Sequence, residues 1–415
     1  MVFKCQEDSF LKQFESKVKS CEKAKVKTFV DGNEKTVDGY EVILEDTILF
    51  PEGGGQPCDY GKLNNIPVFQ VIRRGAEAVH FITEPFQIGD TVKQEIDWVR
   101  RNDHMQQHSG QHLISAIIDR DFQFNTSSWW LGEDVSYIEL DTPSMTPEQI
   151  KHAEDVCNEL IRASLTVSVS VIKDYEKKSG EKGGDLIING ARTRGLPDDH
   201  VGDIRVITIH GIDSHMCCGT HVTNLSQLQV IKLLNAEKGK RKDKTLVYFL
   251  VGNRVTNHFQ QCLEREQKLT ALLKNSPVLH AELVEKLQKN LKITSKNLQT
   301  ILKEVAQIEI EKLKTSKPKY FCLHRKEAEP DFMSIFVKEL NGFDIFLFLS
   351  VGDEKTNGNV LIYGKENDVA ELGPKICEIL NGKGAGKNGR YQAKVQNMKN
   401  RPKCVELIEN YFKTL

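Results

Sequence analysis

The chain has 415 residues, of which 39% are hydrophobic and 28% are charged, and its formal net charge is −1 at pH 7. This length predicts two to four domains rather than a single core. No segment approaches the roughly 18 consecutive apolar residues of a membrane span, so a membrane protein is not expected. The balanced charge also means that any nucleic-acid partner must be held by local basic patches.

The N-terminal sequence and the cysteines predict a cytoplasmic protein. The first residues mix acids and lysines with apolar residues and lack a continuous apolar run, which is not the pattern of a secretory signal. The ten cysteines are scattered, apart from Cys217 and Cys218, and do not resemble a disulfide framework. A reducing compartment is therefore favoured.

Residues 1–95 are expected to be rich in β-strands. Three short apolar runs, Tyr40–Leu44, Thr47–Phe50 and Val68–Ile72, are separated by Gly, Asn and Pro turn signals. This spacing predicts a small β-barrel or sandwich.

A glycine-rich segment between Phe50 and Pro57 is the sharpest local feature of this region. It reads Phe-Pro-Glu-Gly-Gly-Gly-Gln-Pro. Consecutive glycines let the backbone approach another group closely, and Gln56 adds an amide that both donates and accepts hydrogen bonds. Taken alone, the segment is most simply a tight turn between two strands.

The next region, residues 96–255, mixes predicted helices and strands. A helix is expected over Met105–Arg120, because apolar residues recur there at helical spacing. Thr146 followed by Pro147 is typical of a helix start. Apolar runs predict strands over Ile204–Ile209, Leu228–Leu234 and Leu246–Val251. These elements together indicate an α+β core.

A long helical stretch follows from Asn257 to Lys314, with a break near Ser276 and Pro277. In its second arm, apolar residues alternate at steps of three and four, and Thr294 is the one interruption. These residues are Val284, Leu287, Leu291, Leu298, Ile301, Val305 and Ile308. The pattern spans about four heptads and indicates either a helical hairpin or a coiled coil between two chains.

Residues 317–415 predict a final α/β domain, with a strand over Ile345–Val351 and a Gly/Lys loop over Asn381–Gly389. Seven basic residues without an intervening acid follow one another in this region. They are Lys383, Lys387, Arg390, Lys394, Lys399, Arg401 and Lys403. Such a segment suits contact with phosphates and unpaired bases. A second basic run, Lys238–Lys244, is equally compatible with a solvated loop.

Two pairs of residues predict a metal site. His108 and His112 are four positions apart, so on a helix their imidazoles share one face. Cys217 and His221 form a second pair around a glycine. Imidazole and thiolate are the ligands that zinc prefers, and four of them complete a tetrahedron. The sequence therefore predicts one zinc ion bound by these four residues.

The neighbours of these residues narrow the chemistry. Ser109 and Gln111 stand where zinc proteases of the H-E-x-x-H type carry a glutamate base, so peptide hydrolysis by that mechanism is disfavoured. His104, His215 and Cys218 are rivals for the role of ligand, and Cys218 is the nearest of them.

Four segments in this order resemble the alanyl-tRNA editing proteins, the stand-alone relatives of the alanyl-tRNA synthetase editing domain. They are Asp46–Pro57, Met105–Leu113, Met216–Val222 and the glycine-rich Asn381–Gly389. The match is to the longer animal form and extends over nearly the whole chain. Each motif alone is moderate or weak, but the ordered combination is specific.

The resemblance implies an α+β multidomain architecture. It consists of an N-terminal β-barrel with the glycine-rich loop over residues 1–95, a zinc-bearing editing core over 96–255, a long helical hairpin or coiled-coil arm over 256–316, and a C-terminal α/β domain over 317–415. The last domain would bind tRNA or support dimerisation. A homodimer through the arm or this domain is compatible with the sequence.

The resemblance also implies a function. The family removes serine, and sometimes glycine, from tRNA meant for alanine, so the expected activity is zinc-dependent hydrolysis of mischarged tRNA(Ala) in trans. The implied zinc ligands are His108, His112, Cys217 and His221. Expected substrate contacts are Gly54, Gly55, Gln56, Gln111 and Thr220, and expected tRNA contacts are Lys383, Lys387, Arg390 and Lys394.

Two departures from the synthetase pattern bear on the amino-acid preference. Synthetases commonly read His-Thr-Ala-Thr-His, whereas this chain has Gln111 before its second histidine. They also read Cys-Gly-Gly-Thr-His, whereas this chain has Cys218 in place of the first glycine. Neither change removes a ligand, but the choice between serine and glycine stays open.

Two other functions remain open at the level of sequence. A zinc ion with four protein ligands is normally structural. The main alternative is therefore a non-catalytic tRNA- or RNA-binding protein with a structural zinc site. A zinc hydrolase or lyase acting on a small molecule is the third reading, and the basic C-terminal segment argues against it.

Overall fold

The computed structural model describes residues 2–30, 33–176, 186–188, 191–193 and 201–414. They form a mixed α+β protein, as predicted, with two compact units, Met1–Glu266 and Gln267–Leu415. The finer boundaries at residues 95, 255 and 316 stay predictions. Parts of the predicted core, residues 177–185, 189–190 and 194–200, lie outside the described residues.

The first unit begins with a short helix, α1 (Lys4–Glu7), and a seven-stranded sheet. Its strands are β1 (Gln13–Val30), β2 (Asn33–Leu44), β3 (Gly61–Leu63), β4 (Ile66–Val68), β5 (Gln70–Arg74), β6 (Glu77–Ile82) and β7 (Thr91–Ile96). They pair in the order β4-β3-β7-β1-β2-β6-β5. The described strands thus form a sheet with two edges and do not show the closed barrel predicted from the sequence.

The predicted strand Thr47–Phe50 is wrong, since this buried segment lies outside the described strands. Its backbone N–H groups are satisfied by side chains instead of a neighbouring strand. Ile48 donates to Gln94 Oε1 at 3.0 Å, and Phe50 donates to Asp59 Oδ2 at 2.7 Å. A buried apolar run therefore does not need a strand partner if side-chain acceptors are available.

The rest of the first unit surrounds the long helix α2 (Trp98–Phe122). It adds β8 (Thr126–Leu131), β9 (Ser136–Leu140), α3 (Pro147–Arg162), β10 (Val167–Glu176), β11 (Leu186–Ile188), β12 (Ala191–Thr193), β13 (Val201–Ile209), β14 (Asp213–Met216), β15 (Ile231–Lys238) and β16 (Thr245–Val251). The strands form two sheets, in the orders β10-β13-β14-β12-β11 and β15-β16-β9-β8.

Helix α2 begins where the side chain of Asp97 accepts a hydrogen bond from the N–H of Arg100 at 3.1 Å. Its apolar face, with Met105, Leu113 and Ile117, is fully buried in one core with residues of β9, β16 and α3. This packing fixes the rotation of the helix and directs its histidines toward the segment that follows β14.

Two helices occupy the predicted helical stretch, α4 (Asn253–Leu273) and α5 (His280–Ser316), separated by a 3₁₀ turn at Pro277–Leu279. Short 3₁₀ turns also occur at Leu225–Leu228 and Met398–Asn400. Among the helices that the structure describes, none is long and apolar enough to cross a membrane.

The second unit continues from α5 into a five-stranded sheet. Its elements are β17 (Tyr320–Arg325), α6 (Pro330–Glu339), β18 (Phe346–Gly352), β19 (Gly358–Tyr363), α7 (Glu366–Ile379), β20 (Gly382–Lys387), β21 (Arg390–Val395) and α8 (Arg401–Thr414). The strand order is β17-β18-β19-β21-β20, in which only the β17–β18 pair of the described strands is parallel.

The predicted Gly/Lys loop Asn381–Gly389 is wrong, because most of it is strand β20. The chain turns at Asn388 and Gly389, whose φ angles are 54° and 70°. Two residues with positive φ close a tight hairpin, and Asn-Gly is the pair that favours this turn. Four of the seven basic residues, Lys383, Lys387, Arg390 and Lys394, are therefore presented on a β-hairpin.

Candidate metal centre

The four predicted ligands, His108, His112, Cys217 and His221, lie together in the structure. Their ligand atoms are all within 4.8 Å of one another. Cys217 Sγ lies 3.3 Å from Nε2 of His108 and 3.2 Å from Nε2 of His221. Ligand atoms of a tetrahedral zinc ion, each about 2.0–2.3 Å from the metal, are roughly 3.3–3.8 Å apart. The cluster could therefore hold a metal ion.

His108 and His112, four positions apart on α2, lie on one face of the helix, as the sequence predicts. The rings of His108 and His112 stack with centroids 5.0 Å apart and an angle of 17°. The rival His215 stacks on the other side of His112, at 3.6 Å between centroids, and is not a member of the four-residue cluster. His104 is buried on the same helix but also lies outside this cluster.

Gln56 of the glycine-rich loop contacts His108, one of the predicted ligands. Its Oε1 lies 2.9 Å from Nδ1 of His108 and accepts the N–H of Thr220 at 3.0 Å. Its Nε2 donates to Thr220 Oγ1 at 2.8 Å. A proton on Nδ1 of His108 satisfies this contact and leaves Nε2 free for a metal. Gln56 and Thr220, predicted at the substrate, are thus buried and bonded to each other.

Ser109 makes the matching contact on the other buried histidine. Its Oγ lies 3.0 Å from Nδ1 of His221 and accepts the N–H of Val222 at 3.1 Å. The Nε2 of His221 consequently faces Cys217. Both fully buried imidazoles of the cluster are therefore oriented by an outer hydrogen bond.

The glycine-rich loop lies close against the cysteine turn. Gly54 and Gly55 have φ angles of 60° and 77°, which L side chains rarely adopt. A Cβ at Gly54 would lie 2.7 Å from Cys218 Sγ, and one at Gly55 would lie 2.4 Å from Trp129 Nε1. The rival thiol of Cys218 thus packs against the loop instead of joining the cluster.

A buried arginine donates hydrogen bonds to the turn that carries Cys217. Arg205, on β13, donates from Nη1 to the carbonyls of Cys217 at 3.0 Å and Gly219 at 2.6 Å. Its Nε donates to the carbonyl of Gln6 at 3.0 Å, and the Gln6 amide donates to the carbonyl of Cys218 at 2.6 Å. The turn that carries Cys217 is thereby fixed from two sides.

A buried ion pair connects α2 with the end of the glycine-rich loop. The guanidinium of Arg101 contacts the carboxylate of Asp59, and neither side chain is exposed. Arg101 also donates to the carbonyls of Ser9, at 2.9 Å, and Ile48. Asp59 and Phe50 bond to each other through both backbone and side chain, so this pair closes the loop at its base.

Burial sets the protonation states before a metal binds. It lowers the pKa of His108 to about 3, and it lowers the pKa of His221 well below 6.5. These imidazoles are therefore neutral, which is the form that binds a metal. Burial raises the pKa of the Cys217 thiol to about 12, so metal binding would release its proton.

Gln111 differs from the other two predicted polar contacts. Its side chain is buried, and its Nε2 donates to Ser115 Oγ at 2.9 Å. Its Oε1 has no hydrogen-bond partner among the residues that the structure describes. A buried acceptor is thus left unused on the residue that precedes His112 in the sequence.

The four predicted tRNA contacts are brought together on the β20–β21 hairpin. Lys383 pairs with Lys394 and Lys387 pairs with Arg390 across the strands, so all four share one face. The three lysines are exposed, whereas Arg390 is half-buried and donates to Ser334 Oγ at 3.4 Å. The second basic run, Lys238–Lys244, joins β15 to β16.

Sequence reasoning missed the residues that orient the ligands. Arg205 lies 12 positions before its contact Cys217, and Gln6 lies 212 positions before its contact Cys218. Neither contact leaves a local pattern in the sequence. Ser109 adjoins a ligand, but its contact with His221 spans 112 positions. The only available signal was its place between the two histidines.

Part of this site lies in a region that matches a known domain of tRNA synthetases. Residues 204–248, which include Cys217 and His221, match the threonyl and alanyl tRNA synthetase second additional domain. The chain is 46% identical over its full length to alanyl-tRNA editing protein Aarsd1-B of Xenopus laevis, covering 99% of that protein. The corresponding Aarsd1 protein of Mus musculus is also 46% identical, with the same coverage.

Two further relatives are more distant. The alanyl-tRNA editing protein AlaX-M of Methanosarcina barkeri is 26% identical over 59% of this chain and 96% of its own length. The C-Ala domain of Aquifex aeolicus alanyl-tRNA synthetase matches 22% of this chain and 87% of that domain, with 16% identity and a TM-score of 0.20, too slight a likeness for a functional inference. The full-length identity to the animal proteins decides the matter: the chain belongs to the alanyl-tRNA editing protein family.

Proposed function

We propose that this protein is a zinc-dependent hydrolase that removes serine, and secondarily glycine, from mischarged tRNA(Ala), acting in trans. The observation that carries the proposal is the His/Cys cluster, whose ligand atoms lie within 4.8 Å of one another in a member of this family. The relatives are named for alanyl-tRNA editing, which supports the substrate class.

Zinc is the metal that we assign to the cluster. One thiolate with three imidazoles is a donor set that zinc prefers. The separations from Cys217 Sγ to the two imidazole nitrogens, 3.3 and 3.2 Å, suit its tetrahedral geometry. When bound, zinc supplies Lewis acidity toward an ester carbonyl or a water molecule.

The chain's own residues orient the site before the substrate arrives. Gln56 and Ser109 hold the outer nitrogens of His108 and His221, so these rings need no rearrangement during the reaction. His108 and His221 are buried, whereas His112 and Cys217 are half-buried. The aminoacyl end therefore approaches from the side of His112 and Cys217.

Gln111 is our candidate for recognition of the amino acid. Its Oε1 can accept a hydrogen bond from the hydroxyl of serine or from the α-ammonium group. A site built to bond a hydroxyl rejects an analogue without one, because a buried polar group is then left unpaired. This would spare tRNA that carries its cognate alanine, and on the same ground glycine, which has no hydroxyl, should be a poorer substrate than serine.

The tRNA body would be held by the basic face of the β20–β21 hairpin. Lys383, Lys387 and Lys394 are exposed there and suit phosphate contacts. Arg390, which is half-buried and lies opposite Lys387, adds a fourth positive charge to this face. Since the substrate is charged tRNA, we expect the protein in the cytoplasm, and cell fractionation tests this.

The deciding experiment measures serine released from Ser-tRNA(Ala). The wild-type protein should release serine, and the Cys217→Ala and His112→Ala proteins should not, while zinc content falls in parallel. Full activity in a variant that no longer holds zinc would overturn the proposal.

The same assay tests the alternative function. A closed four-ligand zinc is normally structural. If the zinc-loaded wild-type protein binds tRNA but releases no amino acid, the protein is a tRNA-binding protein with a structural zinc site. Activity on Gly-tRNA(Ala), measured alongside, fixes the amino-acid preference.

A further inference from the structure

Three aromatic side chains form a row across one face of the sheet β15-β16-β9-β8. Trp130 pairs with Tyr137 across β8 and β9, and Tyr137 pairs with Tyr248 across β9 and β16. The ring centroids of each neighbouring pair are 5.8 Å apart. Directly paired residues project on the same face of a sheet, so the three rings lie side by side. We call these three residues the aromatic row.

The core of the first unit covers only the other face of this sheet. Leu131, Ile138 and Phe249 follow the aromatic row by one position along their strands and are buried in one core with α2 and α3. Among the described residues, that core includes none of the three rings of the row. Trp130 is 55% exposed, and both tyrosines are half-buried. The aromatic row therefore presents ring surface to the outside.

The turn after β8 holds the ring of Trp130 in place. A Cβ at Gly132 would lie 2.3 Å from Cζ3 of Trp130, so the ring packs against the backbone in space that only glycine leaves. Arg254 donates to the carbonyl of Gly132 at 2.5 Å and is itself paired with Asp103 at 2.7 Å. The ring is thus positioned before a ligand arrives, which lowers the entropy lost on binding.

An exposed aromatic row on a β-sheet suits the flat faces of unpaired nucleotide bases. RNA-binding sheets stack two or three bases on aromatic side chains, and every base has a face for this contact. Glu139 lies on the same face, two residues after Tyr137. Its Oε2 accepts hydrogen bonds from Ser127 at 2.9 Å and Ser128 at 3.1 Å. A carboxylate beside the rings can also accept from the amino group of a cytosine or an adenine.

The second basic run, Lys238–Lys244, forms the turn at one end of the same sheet. This basic turn contains five basic residues and one acid. It begins opposite Thr245, which lies three residues, about 10 Å, along β16 from Tyr248. Four of its basic residues are exposed, namely Lys238, Lys240, Arg241 and Lys242. Phosphates of a strand whose bases lie on the aromatic row can therefore reach this turn.

Acidic residues lie at the opposite end of the sheet. Glu133 and Asp134 are exposed in the turn that joins β8 to β9. Glu237, near the basic turn, is hydrogen-bonded to Tyr248. The charge thus changes sign along the strands, with bases favoured at the rings and phosphates at the basic turn. This polarity suits a nucleotide chain in one orientation better than a uniformly anionic surface.

Strand β8 also connects the aromatic row with the metal centre. Trp129 projects on the opposite face from Trp130, and a Cβ at Gly55 of the glycine-rich loop would lie 2.4 Å from its Nε1. Among the described strands, β8 lies at an edge of its sheet. An extended chain can therefore pass around this edge, from the row toward the glycine-rich loop and the cluster.

The amino acid of a charged tRNA is esterified to its 3′ end, whose last nucleotides are unpaired. With the amino acid at His112 and Cys217, these nucleotides are the unpaired bases nearest to the aromatic row. We propose that this face of the sheet binds the unpaired 3′ end of tRNA, with bases stacked on the aromatic row and phosphates at the basic turn. The identity of the ligand rests on the proposed function, but binding of uncharged tRNA requires no hydrolysis.

Fluorescence titration of the full-length protein with uncharged tRNA(Ala) tests the aromatic row. Trp130→Ala should raise the dissociation constant by about 5- to 150-fold, the loss expected for one stacked base. Trp130→Phe keeps a ring and should bind nearly as well as the wild type. Tyr60→Ala is the matched control, because Tyr60 is 44% exposed and lies beside a different sheet. Since Trp130 is exposed, the fold should survive, and circular dichroism checks this.

A tRNA(Ala) that lacks its unpaired 3′ nucleotides tests which part of the RNA is bound. The wild-type and Trp130→Ala proteins should bind this shortened tRNA equally, because the stacked base is gone. Equal binding of the intact tRNA by both proteins would overturn the proposal. An undiminished difference on the shortened tRNA would also overturn it, since the ring would then contact another part of the RNA.

The basic turn is tested by the salt dependence of the same titration. Lys240→Ala with Lys242→Ala should reduce the slope of log K against log salt by about 1 to 2. Lys23→Ala with Lys25→Ala removes the same charge from exposed positions of β1 and is the control. A slope equal to that of the control would refute phosphate contacts at the turn.

Serine release, measured on the same proteins, separates the two proposals. If the wild type releases no serine but Trp130→Ala binds intact tRNA more weakly, the hydrolysis is disproved and the surface stands. If the wild type releases serine and Trp130→Ala has an unchanged KM and tRNA affinity, the surface is disproved and the hydrolysis stands. A raised KM with an unchanged kcat is the result expected of Trp130→Ala.

Discussion

The amide oxygen of Gln56 lies 2.9 Å from Nδ1 of His108, although the two residues are 52 positions apart. The glycine-rich loop is therefore connected to the metal cluster through an outer hydrogen bond. This contact lets the loop orient the imidazole of His108, one of the four predicted ligands.

Replacing Gln56 should weaken zinc binding. Gln56→Met removes the amide at similar size, and loss of an outer-shell partner typically lowers metal affinity by about 10–100-fold. Gln56→Glu keeps an acceptor for His108 and should lose less. Competition with a chromophoric chelator measures the affinity, with exposed Gln87→Met as control. Unchanged zinc affinity in Gln56→Met would show that the contact does not orient His108.

Ser109 should matter for stability as well as for zinc. Ser109→Ala leaves Nδ1 of His221 and the N–H of Val222 without their buried partner, at a cost of about 1–3 kcal/mol in the free energy of unfolding. Ser109→Thr keeps the hydroxyl and should retain most stability. Urea unfolding of the metal-free proteins tests this, with exposed Ser295→Ala as control. Equal stability of wild type and Ser109→Ala would contradict it.

The ion pair between Arg101 and Asp59 should be costly to break from one side. Asp59→Asn leaves a buried guanidinium without its carboxylate, and such changes cost about 3–5 kcal/mol. Asp59→Leu also leaves the N–H of Phe50 without its acceptor, so it should be less stable than Asp59→Asn, which keeps an amide oxygen. Guanidinium unfolding gives the comparison. An Asp59→Leu protein as stable as Asp59→Asn would disprove the explanation.

His80 should contribute to the loss of stability in acid. Burial lowers its pKa from 6.5 to about 4, so the unfolded chain binds a proton there before the folded chain does. The stability that neutral His80 contributes is complete above pH 6.5 and declines, by about 1.4 kcal/mol per pH unit, as the pH falls toward about 4. Its Nδ1 lies 3.0 Å from the carbonyl oxygen of Val42. His80→Gln should show a shallower decline in urea unfolding between these pH values, and parallel curves would contradict the assignment.

The basic hairpin should control the salt dependence of tRNA binding. If Lys383 and Lys387 contact phosphates, changing both to Ala should reduce the slope of log K against log salt by about 2. Lys338→Ala with Lys375→Ala removes the same charge from α6 and α7 and serves as control. Filter binding at several salt concentrations measures the slope. A slope equal to that of the control would place the tRNA elsewhere.

The clustering of His108, His112, Cys217 and His221 could be predicted from the sequence because their spacing encodes it. A spacing of four residues places His108 and His112 on one face of a helix, and a short turn brings Cys217 close to His221. The contacts that orient these residues could not be predicted, because Arg205 and Gln6 reach the turn that carries Cys217 through tertiary packing alone.

Two local errors have different causes. Thr47–Phe50 is apolar and buried like a strand, but Gln94 and Asp59 supply acceptors for its backbone, and these residues are remote in sequence. The Asn388–Gly389 turn was readable, because Asn-Gly between two strands signals a hairpin. The many glycines and lysines around this turn favoured the prediction of a loop over that of a hairpin.

The close approach of Gly54 to Cys218 means that these two positions compete for one small volume. A Cβ at position 54 would meet the sulfur at 2.7 Å, so both positions cannot carry a rigid side chain at once. A larger residue at position 54 therefore requires a smaller one at position 218, and it would still carry the strain of a positive φ. Where the synthetase pattern has glycine in place of Cys218, only the steric part of this constraint is lifted. Glycine should therefore persist at position 54 even where position 218 is small.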